Sequence, residues 1–486
     1  MQQLWNDVIQ VDAWLGATRL LLRLQEGADR PALRPVARAA ETLRLQQTTG
    51  DEWSILWSYK PPWQYEPLSR RRRKARNGSI LLNHMPGTVK LASKVHLIEF
   101  ARTLRAKLPR LFSSVTPETY ALPEEASRLA DALQRRGLHD AFGWPNWLAK
   151  SKQHRGIFIL SSSSNRSLAA LGPTLVQERV RPLLLPGLRR AFDVGLYVVV
   201  SSVRPLQAWA FDRSLVRVCQ RDYPRERTQA GWATAAFADK SRYVIKEYAP
   251  VWRLKYFAPF LAKCDGSAAC AVRAALDAHG YDGEGLWRRM RRVAASLLLA
   301  LRTSVEAGLR RQRLRSANVF ELFRFDFLVD EDGLPVLTEV NLSPNLVAAP
   351  NAPEDGDVKQ QLLRATLGIA TQRFMPAAAS TSPPAHRLAL PSDVPASLRG
   401  VACSPECCTL QPKCNESWAR LSGPRCLSLH DVRMLQLAAA EQLAATAAGM
   451  RRIWPTPMGS GSVRALMQHS PPREDRLLAC WTRAAA

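Results

Sequence analysis

Apolar and polar positions are patterned most clearly over residues 320–345, where two runs dense in Phe, Val and Leu flank the turn signal at 330–333. The pattern predicts a β-hairpin. A turn centred near residues 332 and 333 makes paired residue numbers sum to about 665, which brings Asp326 opposite the neighbourhood of Glu339. Glu339 and Asn341 are two apart and share a face. Elsewhere the pattern predicts an amphipathic helical segment over 1–45. A strand, loop and strand follow over 147–160, with Lys150 ending the first strand and Gly156 opening the second. Residues 191–200 predict a buried strand and 208–217 the next one. Helices are expected from about 286 to 308 and over 350–375, and the Ala, Ser, Thr and Pro of 376–386 predict a linker.

The chain has 486 residues, 46% of them hydrophobic, enough for two or three domains and a sizeable core. Lys and Arg number 68 against 42 Asp and Glu, a net +26, so an acidic partner is the first functional inference. Nucleic acid, anionic membrane and acidic protein tails all satisfy that charge. No aromatic-plus-basic motif supports specific nucleic-acid binding. No run of 18 apolar residues occurs, and residues 1–25 show no secretory pattern. Five of the nine cysteines (Cys403, Cys407, Cys408, Cys414, Cys426) fall in one tail segment whose spacing matches no standard zinc site. Asn415-Glu-Ser417 is a glycosylation acceptor sequence only in a lumenal protein.

Two carboxylates and an amide oxygen on adjoining strands make a hard oxygen-ligand set, suited to a magnesium ion that takes further ligands from phosphates. The alternative is an exposed hairpin whose polar residues merely face water. Arg70 to Lys74, five basic residues in a row, predicts a solvated face or a contact with an acidic partner. His84, in Asn83-His-Met-Pro-Gly87, is expected to be structural.

Phe325-Asp-Phe-Leu-Val-Asp330 and Thr338-Glu-Val-Asn-Leu-Ser-Pro344 resemble the metal-binding end of the ATP-grasp ligases, and more narrowly the tubulin-tyrosine-ligase-like family. Landmarks of that family run in order from about residue 51 to 349: Asp51-Glu-Trp-Ser, the Asn-His-Met-Pro-Gly element with Lys90 and Lys94 after it, and Thr116-Pro-Glu-Thr-Tyr. The resemblance implies an α+β protein: an ATP-grasp fold in which two α/β subdomains grip ATP, with a small N-terminal α/β domain and a C-terminal Cys-containing tail. The corresponding division is a helical segment 1–45, an N-terminal domain 46–125, ATP-grasp domains 126–375, the linker 376–386 and a partly disordered tail 387–486.

The same resemblance implies site residues. Lys150 would reach the phosphates, with Lys152 and Arg155 in the loop over them. Gln177, Glu178, Arg179 and Val180 would form the hinge against the adenine. Asp193 is kept in the strand that follows, Arg217 aligns with an arginine that binds the amino-acid substrate, and Asp326, Glu339 and Asn341 would hold Mg2+. Ala191 and Gly195 stand where the family carries Lys and Arg. A glycine inside a β-branched strand signals either the close approach of another chain or a lost arginine.

The implied reaction is ATP-dependent addition of an amino acid, glutamate first, to an acidic tail of tubulin or another protein through an acyl phosphate. The alternative is an ATP-grasp binding protein with weak or no turnover that recognises the same partner. A monomer is expected, in the cytoplasm at microtubules or cilia, or in the secretory lumen if the start is truncated.

Overall fold

The computed structural model describes residues 20–27, 29–64, 80–113, 115–140, 144–151, 156–160, 174–224, 237–245, 248–350, 352–374, 429–455 and 473–484. The basic run at 70–74, Lys152 and Arg155, the 376–386 linker, and the 403–426 cysteines with Asn415 lie outside the described residues.

The first layer is a parallel sheet of β1 (Leu21–Leu24), β2 (Gln46–Thr48), β3 (Ile55–Trp57) and β4 (Leu81–Leu82), in the order β2-β1-β3-β4. Leu22 and Leu24 point into the core and their neighbours do not, a period of two that makes this stretch a strand. The expected helix therefore fails at 21–24 and survives as α1 (Arg34–Thr42), which has a proline in its first turn and buries Val36, Ala37, Ala39 and Ala40.

After α2 (Lys94–Lys107) comes a small antiparallel sheet of β5 (Thr119–Ala121), β6 (Trp147–Ser151), β7 (Ile157–Ile159) and β8 (Thr174–Glu178), ordered β5-β8-β6-β7. Its inner face, Tyr120, Trp147 and Val176, packs on Leu129 and Ala132 of α3 (Ala126–Arg136).

The central sheet is built on β9 (Phe192–Val203), all of whose side chains are buried. One edge of β9 is shared by β10 (Leu206–Phe211), which pairs with its second half, and β11 (Leu215–Cys219), which pairs with its first. The single strand expected over 208–217 is thus two, because Asp212, Arg213 and Ser214 turn the chain. β12 (Tyr248–Pro250) continues outward from β11. α4 (Ala268–Ala278) and α5 (Gly283–Arg311) follow, the second capped by Asp282, whose carboxylate accepts from the Gly285 N–H at 2.7 Å. α5 lays Leu286, Met290, Val293, Leu297 and Leu301 into the main core. The other edge of β9 belongs to β13 (Glu321–Val329), which also pairs with β14 (Pro335–Asn341). α6 (Pro353–Thr371) packs on α1. Beyond the linker, α7 (Leu429–Ala447) leads to β15 (Met450–Trp454), which adds a strand to β10, and α8 (Arg473–Ala484) packs on α7.

The layers are tied together at Glu321. Its carboxylate accepts from the Met85 N–H at 3.0 Å and the Thr88 hydroxyl at 2.9 Å, and lies 2.8 Å from His84 Nδ1, while His84 Nε2 meets the Ser58 carbonyl. Burial alone would lower the His84 pKa, but the Glu321 charge and hydrogen bond outweigh it and raise it. The structural role expected of His84 is what the structure shows. Gly87 (φ +96°) and Gly308 let this turn lie directly on α5: a Cβ at either would stand 2.5–2.6 Å from a backbone oxygen of the other element. Cys264 and Cys270 form a disulfide. Among the described residues no helix is long and apolar enough to cross a membrane.

Candidate functional site

The hairpin has the expected register: Asp326 pairs with Glu339 and Arg324 with Asn341, with a bulge immediately after Asp326. Alternation then puts Arg324, Asp326, Glu339 and Asn341 on one face. Asn341 Nδ2 donates to Asp326 Oδ2 at 3.1 Å and to Glu339 Oε1 at 3.2 Å, so the three groups converge. Asp193 of β9 joins them, and Arg217, its direct cross-strand partner, arrives from β11 on the opposite edge of β9. Arg217 makes two parallel bonds to Asp193, 2.8 and 2.6 Å, and its Nη2 lies 3.0 Å from Asp326 Oδ2. Arg324 makes a second fork, 2.6 and 2.8 Å, on Asp326. Three carboxylates and two guanidiniums therefore share one largely buried space.

Their titration follows from that crowding. Burial would raise Asp326, but Arg217 and then Arg324 outweigh it and hold the carboxyl below its ordinary value. At Asp193 burial dominates and the Asp326 charge adds to it, so that even with Arg217 bound the group is pushed up to about 6.

Asp, Glu and Asn oxygens converging on one point fit a hard divalent cation by donor type. The amide of Asn341 fits once its oxygen, rather than its nitrogen, faces the carboxylates, an assignment that follows whatever sits between them. A cation there competes with the two guanidiniums for Asp326. Among the described residues no three His, Cys, Asp or Glu side chains form a metal-holding group, so the set depends on Asn341.

Across from the hairpin, β6 brings Lys150, whose ammonium donates to Gln177 Oε1 at 2.5 Å; Gln177 in turn donates to the Thr119 hydroxyl. Burial first, and the charge of Lys94 second, lower the Lys150 pKa to about 8 against the opposing pull of Glu339. Lys94, at the start of α2, thus belongs to the same neighbourhood. A narrow cleft of about 50 Å³ lies between the two antiparallel sheets, walled by Leu148, Lys150, Gln177, Ala191, Tyr243 and Leu328, with Glu178 to Val180 along one side.

The hinge side chains are committed elsewhere. Glu178 pairs with Arg136. Arg179 is buried, donating to the Pro145 carbonyl and the Tyr223 hydroxyl with its guanidinium over Trp144. The N–H groups of Glu178 and Arg179 donate to Glu118 and Asn146 carbonyls. Arg189 and Arg190, beside Ala191, pair with Asp222 rather than with the carboxylate cluster. Sequence reasoning missed Arg324 altogether, although its place two residues before Asp326 puts it on the same strand face.

A model of the Tubulin-tyrosine ligase family matches residues 72–379, well over half of the chain. The chain is 27% identical over 299 residues to "Probable tubulin polyglutamylase ttll-15" of Caenorhabditis elegans, covering 61% of this chain and 52% of that protein. It is 26% identical over 329 residues to human "Tubulin monoglutamylase TTLL4", covering 66% of this chain and 25% of that protein. With "Tubulin polyglutamylase ttll-5" of C. elegans it shares 28% over 323 residues, 63% of this chain and 42% of the other. The matched segment spans about half or less of each of these relatives.

Proposed function

This chain belongs to the tubulin-tyrosine ligase family, and from that premise we propose that it is an ATP-dependent carboxylate–amine ligase of ATP-grasp type, joining glutamate to an acidic tail of tubulin or another protein. The observation that carries the reading is the convergence of Lys150, Asp193, Arg217, Asp326, Glu339 and Asn341 beside a cleft between two antiparallel sheets. The named relatives act on tubulin, and the net charge of +26 suits an acidic tail.

Bound nucleotide would supply a phosphoryl group that turns a carboxylate into an acyl phosphate, which an amine then attacks at carbon, releasing phosphate and leaving an amide. The chain's part is positioning and charge balance, so no nucleophilic Ser or Cys is needed. Lys150, oriented by Gln177, presents an ammonium to the phosphate end of the cleft. Leu148, Ala191 and Leu328 offer apolar walls for the base. Asp326, Glu339 and Asn341 would hold Mg2+, and Arg217 balances Asp193 and Asp326 in the meantime.

The test is to incubate the pure chain with tubulin, ATP-Mg and single amino acids, and to weigh the acceptor by mass spectrometry, with subtilisin-cleaved tubulin lacking its tails as the control. Glutamate added to intact tubulin alone is expected. Nucleotide binding without product from any amino acid would instead favour a binding protein of the same fold.

The Cys264–Cys270 disulfide favours a second reading of place and acceptor. Disulfides persist in oxidising compartments, where an acidic secretory-pathway protein would take the place of cytoplasmic tubulin. Protease protection of the full chain in isolated microsomes distinguishes the lumen from a cytoplasmic, microtubule-associated site.

A further inference from the structure

Gly195 lies in the middle of β9, paired with Asp326 on one side and Leu215 on the other. A Cβ at this position would stand 2.9 Å from Arg324 Cδ, 3.3 Å from Arg324 Cγ and 3.2 Å from Asp326 Oδ1. The first distance is closer than side-chain carbons approach, so the stem of Arg324 fills the volume that any side chain at 195 would need. The relation is reciprocal: Arg324 lies flat across β9 and forks onto Asp326 because the strand offers no Cβ beneath it. Of the two explanations for a glycine here, close approach is the one the structure shows.

The position of that guanidinium is informative. A buried ion pair is a weak stabilising device, and apolar residues of similar volume often serve as well or better. Arg324 is nonetheless buried and held against the carboxylate cluster, one fork beside that of Arg217. A planar guanidinium so placed matches the two oxygens of a carboxylate or a phosphate.

We propose that Arg324 is an oxyanion-binding residue of this site, delivered from β13 across Gly195, with Arg217 as its companion. The inference deepens the ligase reading and rests on it for the oxyanion's identity, either the carboxylate of the amino acid or a phosphate of the nucleotide.

The test is a reciprocal exchange in the full chain: Arg324→Gly, Gly195→Arg, and the two together, with affinities for a non-hydrolysable ATP analogue, and for glutamate in its presence, measured by calorimetry. Arg324→Gly is expected to weaken one ligand by at least about tenfold, the range of a charge-assisted fork. Gly195→Arg alone is expected to weaken the same ligand, since two side chains then compete for one space. The exchange, which returns an arginine from the other strand, should recover to within about threefold of wild type on the same scale. Loss for glutamate alone assigns the carboxylate, and loss for the analogue assigns the phosphate. Unchanged affinity for both ligands, an exchange no better than either single variant, or a wild type that binds neither ligand overturns the proposal. If Arg324→Gly does not fold, Arg324→Lys keeps the charge on Asp326 and loses the fork; equal binding by that variant also overturns it. A wild type that binds both ligands yet forms no amide on any acceptor sinks the ligase reading and leaves this inference standing.

Discussion

Replacing Arg217 by methionine tests the charge arithmetic of the site most directly. Arg217 gives two short bonds to Asp193 and lies within ion-pair distance of Asp326, and both carboxylates are almost fully buried. With Glu339 beside them, three carboxylates face two guanidiniums, one net negative charge. Arg217→Met doubles that excess and strips Asp193 of both its charge-assisted bonds. Removing one partner of a buried pair costs about 3–5 kcal/mol, and this site sits within that range because Arg324 remains to hold Asp326. Asp193→Leu moves the balance the other way, to zero, and leaves Arg217 paired with Asp326; its expected cost is about 1 kcal/mol, that of a lost hydrogen-bonding pair. The double variant should therefore be more stable than Arg217→Met alone, with a coupling of about 2 kcal/mol. Urea unfolding, which leaves electrostatics unscreened, reads these differences in the absence of nucleotide and divalent ions, whose binding would add stability of its own. An Arg217→Met variant within about 1 kcal/mol of wild type, or two single costs that simply add, would refute the reasoning. The result also decides how an inactive Arg217 variant is read, because a collapsed carboxylate cluster abolishes turnover without any lost substrate contact.

Three further outcomes are expected. Lys150, with its pKa lowered to about 8, loses charge above that pH, so affinity for a nucleotide analogue should fall by up to about tenfold per pH unit there, while Lys150→Met stays flat in calorimetric titrations at pH 7 and 9. His84 has a folded pKa raised above 6.5, so its contribution to stability is complete below 6.5 and is lost as pH rises through the folded value; the wild-type melting temperature should decline over that interval more steeply than that of His84→Gln, measured by scanning calorimetry. Glu339→Gln should weaken the magnesium-nucleotide complex by roughly tenfold while leaving the chain folded, and equal magnesium dependence of nucleotide binding in both proteins would remove Glu339 from the cation set.

The hairpin register was legible because alternation and a turn suffice to place Asp326 against Glu339, and a slip of one residue would have buried the wrong face. The opposition of Asp193 and Arg217 was not, since they lie on strands joined through β10, and the sequence alone merged β10 with β11. Leu20-Leu-Leu-Arg-Leu24 has leucine at both helical and strand spacings, so it fits a helix as well as a strand until the neighbours of β1 are known. The commitment of Arg179 to Tyr223 and Trp144 depends on contacts 35 to 44 residues away that no local pattern carries. Gly195 was visible as an anomaly, but what filled its space lay on another strand.

The last strand of the central sheet has a consequence for how the chain comes into being. β15 closes the outer edge of β10, and α7 places the Glu441 carboxylate on the hydroxyl of Ser201, 240 residues earlier in the sequence. Both contributions lie past residue 379, the last one matched by the family model. At roughly 5–20 residues per second of synthesis, β10 waits some 12–50 s on the ribosome with a row of unpaired N–H and C=O groups. Such an edge is a template for pairing with another nascent chain. The segment matched to the family is therefore a smaller piece than what must be synthesised before the sheet is safe from its neighbours.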